Sequence, residues 1–152
     1  MKKMFSNVAE IGVVYKPAIS DKPTISSSLD AYNVLVNFFP SETLCLQERF
    51  VAMYLNRSNR VIGVYHMSTG GITGTVLDIR LLLSVALKTA ATGMILAHNH
   101  PSGNLKPSEA DKELTSKIKK ASEYMDIKLL DHLIIAPEGK YLSFREDGLL
   151  CA

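Results

Sequence analysis

The stretch LAHNHPSGNLKPSEAD, residues 96–111, brings two imidazoles, a hydroxyl and a carboxylate together within a short span. Side chains two positions apart on an extended strand point to the same face, so His98 and His100 can converge on one ion. Asp111 is the natural third ligand. Zn²⁺ held by about three nitrogen or oxygen ligands, with one position open, is the catalytic arrangement. The spacing alone leaves two alternatives open, a catalytic zinc site or two metal-free histidines at a strand end.

The residues around this site predict a strand, a loop and a helix in succession. The apolar run at 94–98 favours a buried strand that leads into the histidines, and catalytic groups commonly lie where such a strand ends. The loop 99–107 contains Gly103 and two prolines, which makes it a stiff connection. Ser108 then begins a helix that runs to about Met125. Its core-facing side is predicted to carry Ala110, Leu114, Ile118, Ala121 and Met125.

Ser108 and Asp111 allow two readings. Ser-x-x-Asp after a proline resembles a capping box, which needs no metal. Residues three apart on a helix also share one face, so the hydroxyl and the carboxylate can both face the ion. The two roles are compatible.

A hydrolytic zinc needs a base that takes the proton from its water. Glu109 and Glu113 lie on the opposite side of the helix from Asp111. Glu48 is predicted within a strand over 46–55, on the same face as Phe50 and Leu46. Its carboxylate lies either at an exposed strand end or towards the site, and local spacing does not decide between them.

The rest of the chain predicts a mixed order of strands and helices. A strand at 8–15 is followed by a connector at 16–27 and by a helix that Ser28 caps and Pro40 ends. Strands at 46–55 and 61–67 form a hairpin, with an extended piece at 72–76 after it. Asp78 caps an apolar helix that ends near Gly93. The last strands are predicted at 129–136 and 141–144.

Composition limits the function classes. A chain of 152 residues with 47% hydrophobic and 21% charged residues fits one folded domain without a disulfide scaffold. Cys45 and Cys151 form no Cys-x-x-Cys pair, which favours a reducing cytoplasm. Residues 1–7 lack the apolar run of a secretion signal, so we expect them to belong to the mature protein, with no membrane partner. The net charge of +2 is too mild for a nucleic-acid footprint.

The two other histidines are weaker candidates. His132, within an apolar strand, is either a hydrogen-bonded core residue or a residue that supports the metal ligands from behind. His66 is expected to be structural. The letters His98-Asn99-His100 also spell the name of a nuclease motif, but that motif spreads its residues over a larger unit.

The pattern His98-x-His100, seven residues, Ser108-x-x-Asp111, with an upstream glutamate, resembles the JAMM motif of the JAB/MPN metalloproteases. Within that superfamily the chain resembles the RadC family, bacterial proteins once described as DNA repair factors. The likeness spans about residues 25 to 150. The RadC-like stretches are 96–103, Pro107-Ser108, Leu130-Asp131-His132 and 141–144.

The resemblance implies a fold and a set of roles. The fold would be a single JAB/MPN-like α+β domain over 28–152, of the α-β-α type shared with cytidine deaminases, preceded by an N-terminal strand and connector over 1–27. Its mixed, mostly antiparallel sheet would be flanked by helices. The implied Zn²⁺ ligands are His98, His100 and Asp111, with Glu48 as general acid and base and Ser108 steadying the oxyanion. Asn99 and His132 would support the ligands.

The implied function is zinc-dependent hydrolysis of a peptide or isopeptide bond in an unidentified substrate. The alternative is a non-enzymatic, DNA-associated or scaffold protein that retains the fold. A nuclease or deaminase comes third, since the chain lacks His-x-Glu and Pro-Cys-x-x-Cys.

The chain departs from the family pattern in two ways. Asn99 stands where peptidases of the superfamily usually have Ser or Thr, which leaves the cleaved bond open. Longer RadC members carry an N-terminal helical, DNA-binding-like region that the 152 residues do not include, so we expect a weaker link to DNA. The oligomeric state stays open.

Overall fold

The computed structural model describes residues 7–17, 21–70 and 77–150. Within these ranges the chain forms three α-helices and five strands, and a 3₁₀ turn at Val36–Phe38 continues the first helix. The elements in chain order are α1 (Ser28–Leu35), β1 (Arg49–Leu55), β2 (Val61–Thr69), α2 (Ile79–Lys88), β3 (Gly93–Asn99), α3 (Glu109–Glu123), β4 (Lys128–Ile135) and β5 (Tyr141–Ser143). No helix in these ranges has the length and apolar character needed to cross a membrane.

The strands form one sheet in the order β2-β1-β3-β4-β5. Neighbouring strands are antiparallel except for β3 and β4, which are parallel and are connected through α3. A parallel pair needs such a crossover because a tight turn can only join antiparallel strands. The predicted class, a mixed and mostly antiparallel sheet flanked by helices, is confirmed.

The core lies on both faces of the sheet. One cluster packs between the sheet and α1 and includes Leu35, Met53, Ile95 and Leu133. The other packs between the sheet and the pair α2 and α3 and includes Phe50, Leu82, Leu96 and Ile118. Because both faces are covered, β3 is buried along its whole length. The end of β3 therefore holds its side chains in fixed, water-poor positions.

Two helix starts follow from side-chain caps. Asp78 caps α2 as predicted, since its carboxylate accepts from the backbone N–H groups of Arg80 and Leu81. The cap of α1 is Ser27, and the prediction of Ser28 was wrong by one residue. Ser27 has the extended backbone of a cap and accepts from the N–H of Asp30, whereas Ser28 is already helical and buried.

The end of α2 comes earlier than predicted. The helix stops at Lys88, and Ala90 then takes a positive φ of 55°, which ends the helical backbone. Gly93 is the first residue of β3 rather than the helix end. Apolar residues continue through this turn, so the helical periodicity of the sequence does not predict an end of the helix before Gly93.

The predicted strand at 46–55 is also shorter in the structure. β1 begins at Arg49, because the carbonyl of Thr43 accepts from the N–H groups of both Leu46 and Gln47 and holds them in a turn. Leu46 is 58% exposed instead of facing the sheet. Glu48 consequently lies just before the strand, not within it.

The predicted hairpin and the final strands are confirmed with small shifts of their ends. β1 and β2 pair antiparallel around the turn at 56–60, and β2 runs two residues beyond the predicted end at Met67. β4 and β5 pair around Glu138 and Gly139, both at positive φ. The predicted extended piece at 72–76 and Cys151 lie outside the described residues.

The strand predicted at 8–15 is wrong. Residues 7–17 contain no strand, and the apolar side chains of Val8, Ile11, Val13 and Val14 are 64–88% exposed. β-branched composition favours a strand only where a neighbouring strand and a buried face are provided.

The inner side of α3 differs from the predicted one. Thr115, Ile118 and Ser122 are buried, whereas Ala110 and Met125 are exposed. Hydroxyls can occupy this face because each is satisfied locally: Thr115 donates to the carbonyl of Asp111, and Ser122 donates to that of Lys119. Leu114 and Ala121 are half-buried at its border.

Candidate metal centre

Three predicted site residues meet where β3 ends and α3 begins. His98 is fully buried near the end of β3, and His100 follows the strand with its backbone N–H still donating to the carbonyl of Ile135 on β4. The backbone thus stays extended through His100, and the two rings share a face as predicted. Asp111 lies in the first turn of α3.

The potential ligand atoms lie close together. The Nε2 atoms of His98 and His100 are 3.0 Å apart. His98 Nε2 is 3.4 Å from Asp111 Oδ1, and His100 Nε2 is 3.2 Å from Asp111 Oδ2. Ligands bound to tetrahedral zinc at about 2.0–2.1 Å lie about 3.3–3.4 Å from one another. The observed separations fit that value, so the group can hold a metal ion.

The hydrogen bonds of His100 suit this role. Its Nδ1 lies 2.6 Å from the carbonyl oxygen of Asn104, which can only accept. The ring therefore carries a proton on Nδ1, and in its neutral form the Nε2 lone pair is directed at Asp111 and His98. Metal-bound histidines typically use their second nitrogen in this way.

The two readings of Ser108 and Asp111 hold together. The Ser108 hydroxyl oxygen accepts from the N–H of Asp111 at 3.0 Å, and Asp111 Oδ2 accepts from the N–H of Ser108 at 2.9 Å. This is a complete capping box. The carboxylate that closes the cap is also the one that reaches both histidines, so the start of the helix fixes the position of the third ligand.

The electrostatics of the cluster favour a positive charge. Burial alone would raise the pKa of Asp111, but the side-chain hydrogen bonds of His100 and His98 outweigh it and hold that pKa well below its usual range. The hydrogen bond to Asp111 also raises the pKa of His100, against the opposing effect of burial. A proton and a metal ion compete for the same ring lone pairs.

Glu48 lies two residues before Phe50, which pairs with His98 between β1 and β3. Its side chain is half-buried, and its carbonyl accepts from the N–H of Gly70 at 2.8 Å, next to the end of β2. The charge of Glu48 contributes to the raised pKa of His100, so the carboxylate is within electrostatic range of the cluster. The orientation of the Glu48 carboxylate towards the site stays a prediction.

Asn99 fastens the segment that carries Glu48. Because strand side chains alternate, Asn99 points away from His98, and it is 1% exposed. Its amide donates to the carbonyls of Leu44 and Gln47, each at 2.8 Å, and its oxygen accepts from the N–H of Arg49 at 2.7 Å. The residue between the two histidines thus supports the predicted base rather than the ligands.

His132 lies behind His98. The two rings meet through His98 Nδ1 and His132 Nε2 at 2.7 Å, and His132 Nδ1 lies 2.7 Å from the Thr115 hydroxyl. His132 is fully buried, so both predicted roles, a hydrogen-bonded core residue and a support for the ligands, fit its place.

The sequence analysis did not identify the two aromatic rings that stack on the histidines, Phe50 and Phe144, or the hydroxyl of Thr115. Phe50 stacks on His98 with ring centres 5.6 Å apart, and Phe144 stacks on His132 at 4.6 Å. The sequence offers one indication of the role of Thr115, since it lies four residues after Asp111 on the same helix face.

His66 lies outside the cluster. It is exposed on β2, and its ring forms a hydrogen bond of 2.8 Å with the Thr69 hydroxyl.

Comparison with known proteins identifies the family. Residues 25–149 match the family model described as the RadC-like JAB domain. The chain is 49% identical over 125 residues to a UPF0758 protein of Flavobacterium johnsoniae, covering 82% of this chain and 53% of that protein. It is 40% identical over 129 residues to a UPF0758 protein of Porphyromonas gingivalis, covering 85% and 56%.

A UPF0758 protein of Lactococcus lactis is 46% identical over 103 residues, which covers 68% of this chain and 45% of that protein. The chain thus spans about half the length of the curated relatives it matches. The match covers all of the described strands and helices and the whole His-His-Asp cluster. The chain therefore belongs to the RadC-like JAB domain family.

Proposed function

We propose that the protein is a zinc-dependent hydrolase that uses water to cleave a peptide or isopeptide amide bond. The observation that carries the proposal is the convergence of two imidazole nitrogens and a carboxylate, 3.0–3.4 Å apart, within electrostatic range of a half-buried glutamate. Membership of a domain family that includes metalloproteases supports it.

His98, His100 and Asp111 are the residues that would hold Zn²⁺. When bound, zinc lowers the pKa of a water ligand towards about 7 and polarises a substrate carbonyl. Two nitrogen ligands and one oxygen ligand leave a position for solvent, as in catalytic rather than structural sites. The Asp111 carboxylate already closes the helix cap, which supports a preset position for the proposed third ligand.

Glu48 is the proposed general base. It would take a proton from the attacking water and deliver it to the leaving amine, a role that contributes about 10²–10⁴ in rate. The hydrogen bonds of Asn99 to the flanking segment, together with that of the Glu48 carbonyl to Gly70, hold the backbone that carries Glu48 in place.

Ser108 is the proposed oxyanion donor. Its oxygen already accepts from the N–H of Asp111, which leaves the hydroxyl proton free for a substrate oxygen. One donor of this type is worth about 2.7–4 kcal/mol in the transition state.

The test uses protein reconstituted with equimolar Zn²⁺ and incubated with mixed peptides and isopeptide-linked peptides, with mass spectrometry as the readout. We expect cleavage by the wild type and its loss in Glu48→Gln, with zinc still bound. Glu113→Gln removes an exposed carboxylate on α3 and serves as the matched control, with wild-type activity expected. Full turnover by Glu48→Gln would remove Glu48 from its role, and no cleavage of any peptide by the zinc-loaded wild type would count against the proposed reaction.

A DNA-associated role is the alternative, and it predicts a different outcome. A protein that neutralises several phosphates binds DNA with an affinity that falls steeply with salt. The net charge of +2 gives little basis for such binding. A gel-shift titration at several salt concentrations separates the two roles. A DNA affinity that does not change with salt, or no DNA binding at all, favours the hydrolase.

A further inference from the structure

We propose that Thr115 and His132 are positioning residues that fix the proton of His98 on Nδ1, so that its Nε2 lone pair faces the metal. The inference rests on the metal-binding part of the proposed function and is independent of hydrolysis. It follows from the direction of three successive hydrogen bonds that begin at the Asp111 carbonyl and end at His98.

The first hydrogen bond has only one direction. The carbonyl oxygen of Asp111 can accept but cannot donate, so the Thr115 hydroxyl, 2.7 Å away, must donate to it. That uses the single proton of the hydroxyl. The Thr115 oxygen can then only accept from His132 Nδ1, also at 2.7 Å. His132 is thereby protonated on Nδ1.

The position of the proton on His98 follows from that on His132. A neutral imidazole has one N–H, so His132 Nε2 carries a lone pair. His132 has no exposed surface, and its ring nitrogens meet a hydroxyl and another imidazole rather than a carboxylate, so the charged ring would be costly there. His98 Nδ1, 2.7 Å away, must therefore donate to it. In the neutral His98 ring, the Nε2 is then without a proton.

The consequence appears on the metal side. His100 is also protonated on Nδ1, through the carbonyl of Asn104. When both rings are neutral, two bare Nε2 atoms and the Asp111 carboxylate face one another at 3.0–3.4 Å. Three acceptors at these distances repel unless a proton or a metal ion lies among them, so the arrangement favours a bound cation.

The packing holds the rings in this arrangement. Phe50 lies parallel to His98, with 2° between the ring planes, and Phe144 stacks on His132 at 20°. A flip of either ring would exchange its nitrogens for carbons and break the series. Because the backbone carbonyl of Asp111 begins the series and its carboxylate faces the Nε2 of His98, the first turn of α3 influences both the third ligand and the orientation of the His98 ring.

The test compares Thr115→Val with Thr115→Ser. Valine has nearly the shape of threonine but no hydroxyl, so His132 loses its acceptor and both tautomers become accessible. We expect zinc affinity, measured by competition with a chromophoric chelator, to fall about 10–100-fold, as for other residues that support metal ligands. Serine keeps the hydroxyl and should restore wild-type affinity.

A second measurement reads the proton directly. Long-range ¹H–¹⁵N spectra of the zinc-bound wild type should show His98 protonated on Nδ1 and bound through Nε2. Thr115→Val should shift the His132 signals towards a mixture of tautomers, whereas Thr115→Ser should not. Ser122→Ala removes another buried hydroxyl from the same helix, which donates to Lys119, and should change neither the spectra nor the affinity.

The outcomes separate this inference from the proposed function. Unchanged zinc affinity in folded Thr115→Val, or zinc bound through Nδ1 of His98, would overturn it. His132→Phe is a second variant with an aromatic ring and no ring nitrogen, and it should weaken zinc binding in the same way. A wild type that binds zinc and shows the expected tautomers, but cleaves no peptide, would count against hydrolysis alone.

Discussion

The amide oxygen of Asn99 accepts from the backbone N–H of Arg49 at 2.7 Å, so the residue between the two histidines holds the chain next to Glu48. His98, a predicted ligand, and Asn99, which holds the segment of the predicted base Glu48, are thus neighbouring residues of β3. His98 points towards α3, while Asn99 points to the opposite face and reaches the segment before β1.

The first prediction concerns Asn99→Ser, which places a small hydroxyl where the superfamily's peptidases usually have one. A serine is too short to replace all three hydrogen bonds, and a buried polar group without a partner costs about 1–3 kcal/mol. We expect the free energy of unfolding in urea to fall by at least about 1 kcal/mol, with zinc affinity largely retained because no ligand is changed. Wild-type stability of this variant would contradict the supporting role of Asn99.

The second prediction separates the helix cap from the ligand set through Ser108→Ala. The variant loses the acceptor for the N–H of Asp111, and removal of such a cap costs about 0.5–2 kcal/mol. The unfolding free energy of the metal-free protein should fall by that amount. Hydrolysis should fall as well, since the proposed oxyanion donor is gone. Unchanged turnover would limit Ser108 to capping.

Asp111→Asn should give the opposite pattern. Its amide oxygen can still accept from the N–H of Ser108, so the cap survives, but the negative charge that faces the two imidazoles is lost. We expect zinc affinity to drop by more than the about 10–100-fold typical of supporting residues, because a ligand itself is changed. Isothermal titration with Zn²⁺ measures this, and retained affinity would exclude Asp111 as a ligand.

The fourth prediction concerns pH and Asp131, which is buried on β4 away from the metal cluster. Burial raises the pKa of Asp131 above its ordinary 3.8, although the Ser143 hydroxyl and the N–H of Arg145 donate to it. The fold therefore favours the protonated form. The contribution of Asp131 to stability is fully present below pH 3.8 and is lost as the pH rises through the raised pKa.

Asp131→Asn removes this titration and isolates its effect. The unfolding free energy of the wild type minus that of the variant should be largest near pH 3.8 and should fall as the pH rises. Urea unfolding of both proteins across this range measures the difference. A difference that increases with pH would contradict the stated direction of the pKa shift.

The sequence alone predicted the meeting of His98, His100 and Asp111 because each step is local. A period of two along a strand and a capping box at the next helix place these residues within one strand–loop–helix unit. The mixed sheet also followed from local patterns, and the family resemblance agreed with them.

The errors and omissions have physical causes beyond local pattern. The start of β1 depended on the Thr43 carbonyl, which holds Leu46 in a turn that its apolar side chain does not suggest. The residues at 8–15 have strand composition but no strand partner within the described ranges. The contacts of His132 with Thr115 and His98 join residues 17 and 34 positions apart, and only the packing of α3 against the sheet and the pairing of β3 with β4 bring them together.

The central claim is that His98, His100 and Asp111 bind a single Zn²⁺. Elemental analysis after dialysis against Zn²⁺, on the wild type and on His98→Ala, tests it most directly, with His66→Ala as a control for a histidine outside the cluster. The account predicts equimolar zinc in the wild type and in His66→Ala, and loss of that zinc in His98→Ala. A folded wild type without zinc, or a His98→Ala variant that retains the equimolar ion, would contradict it.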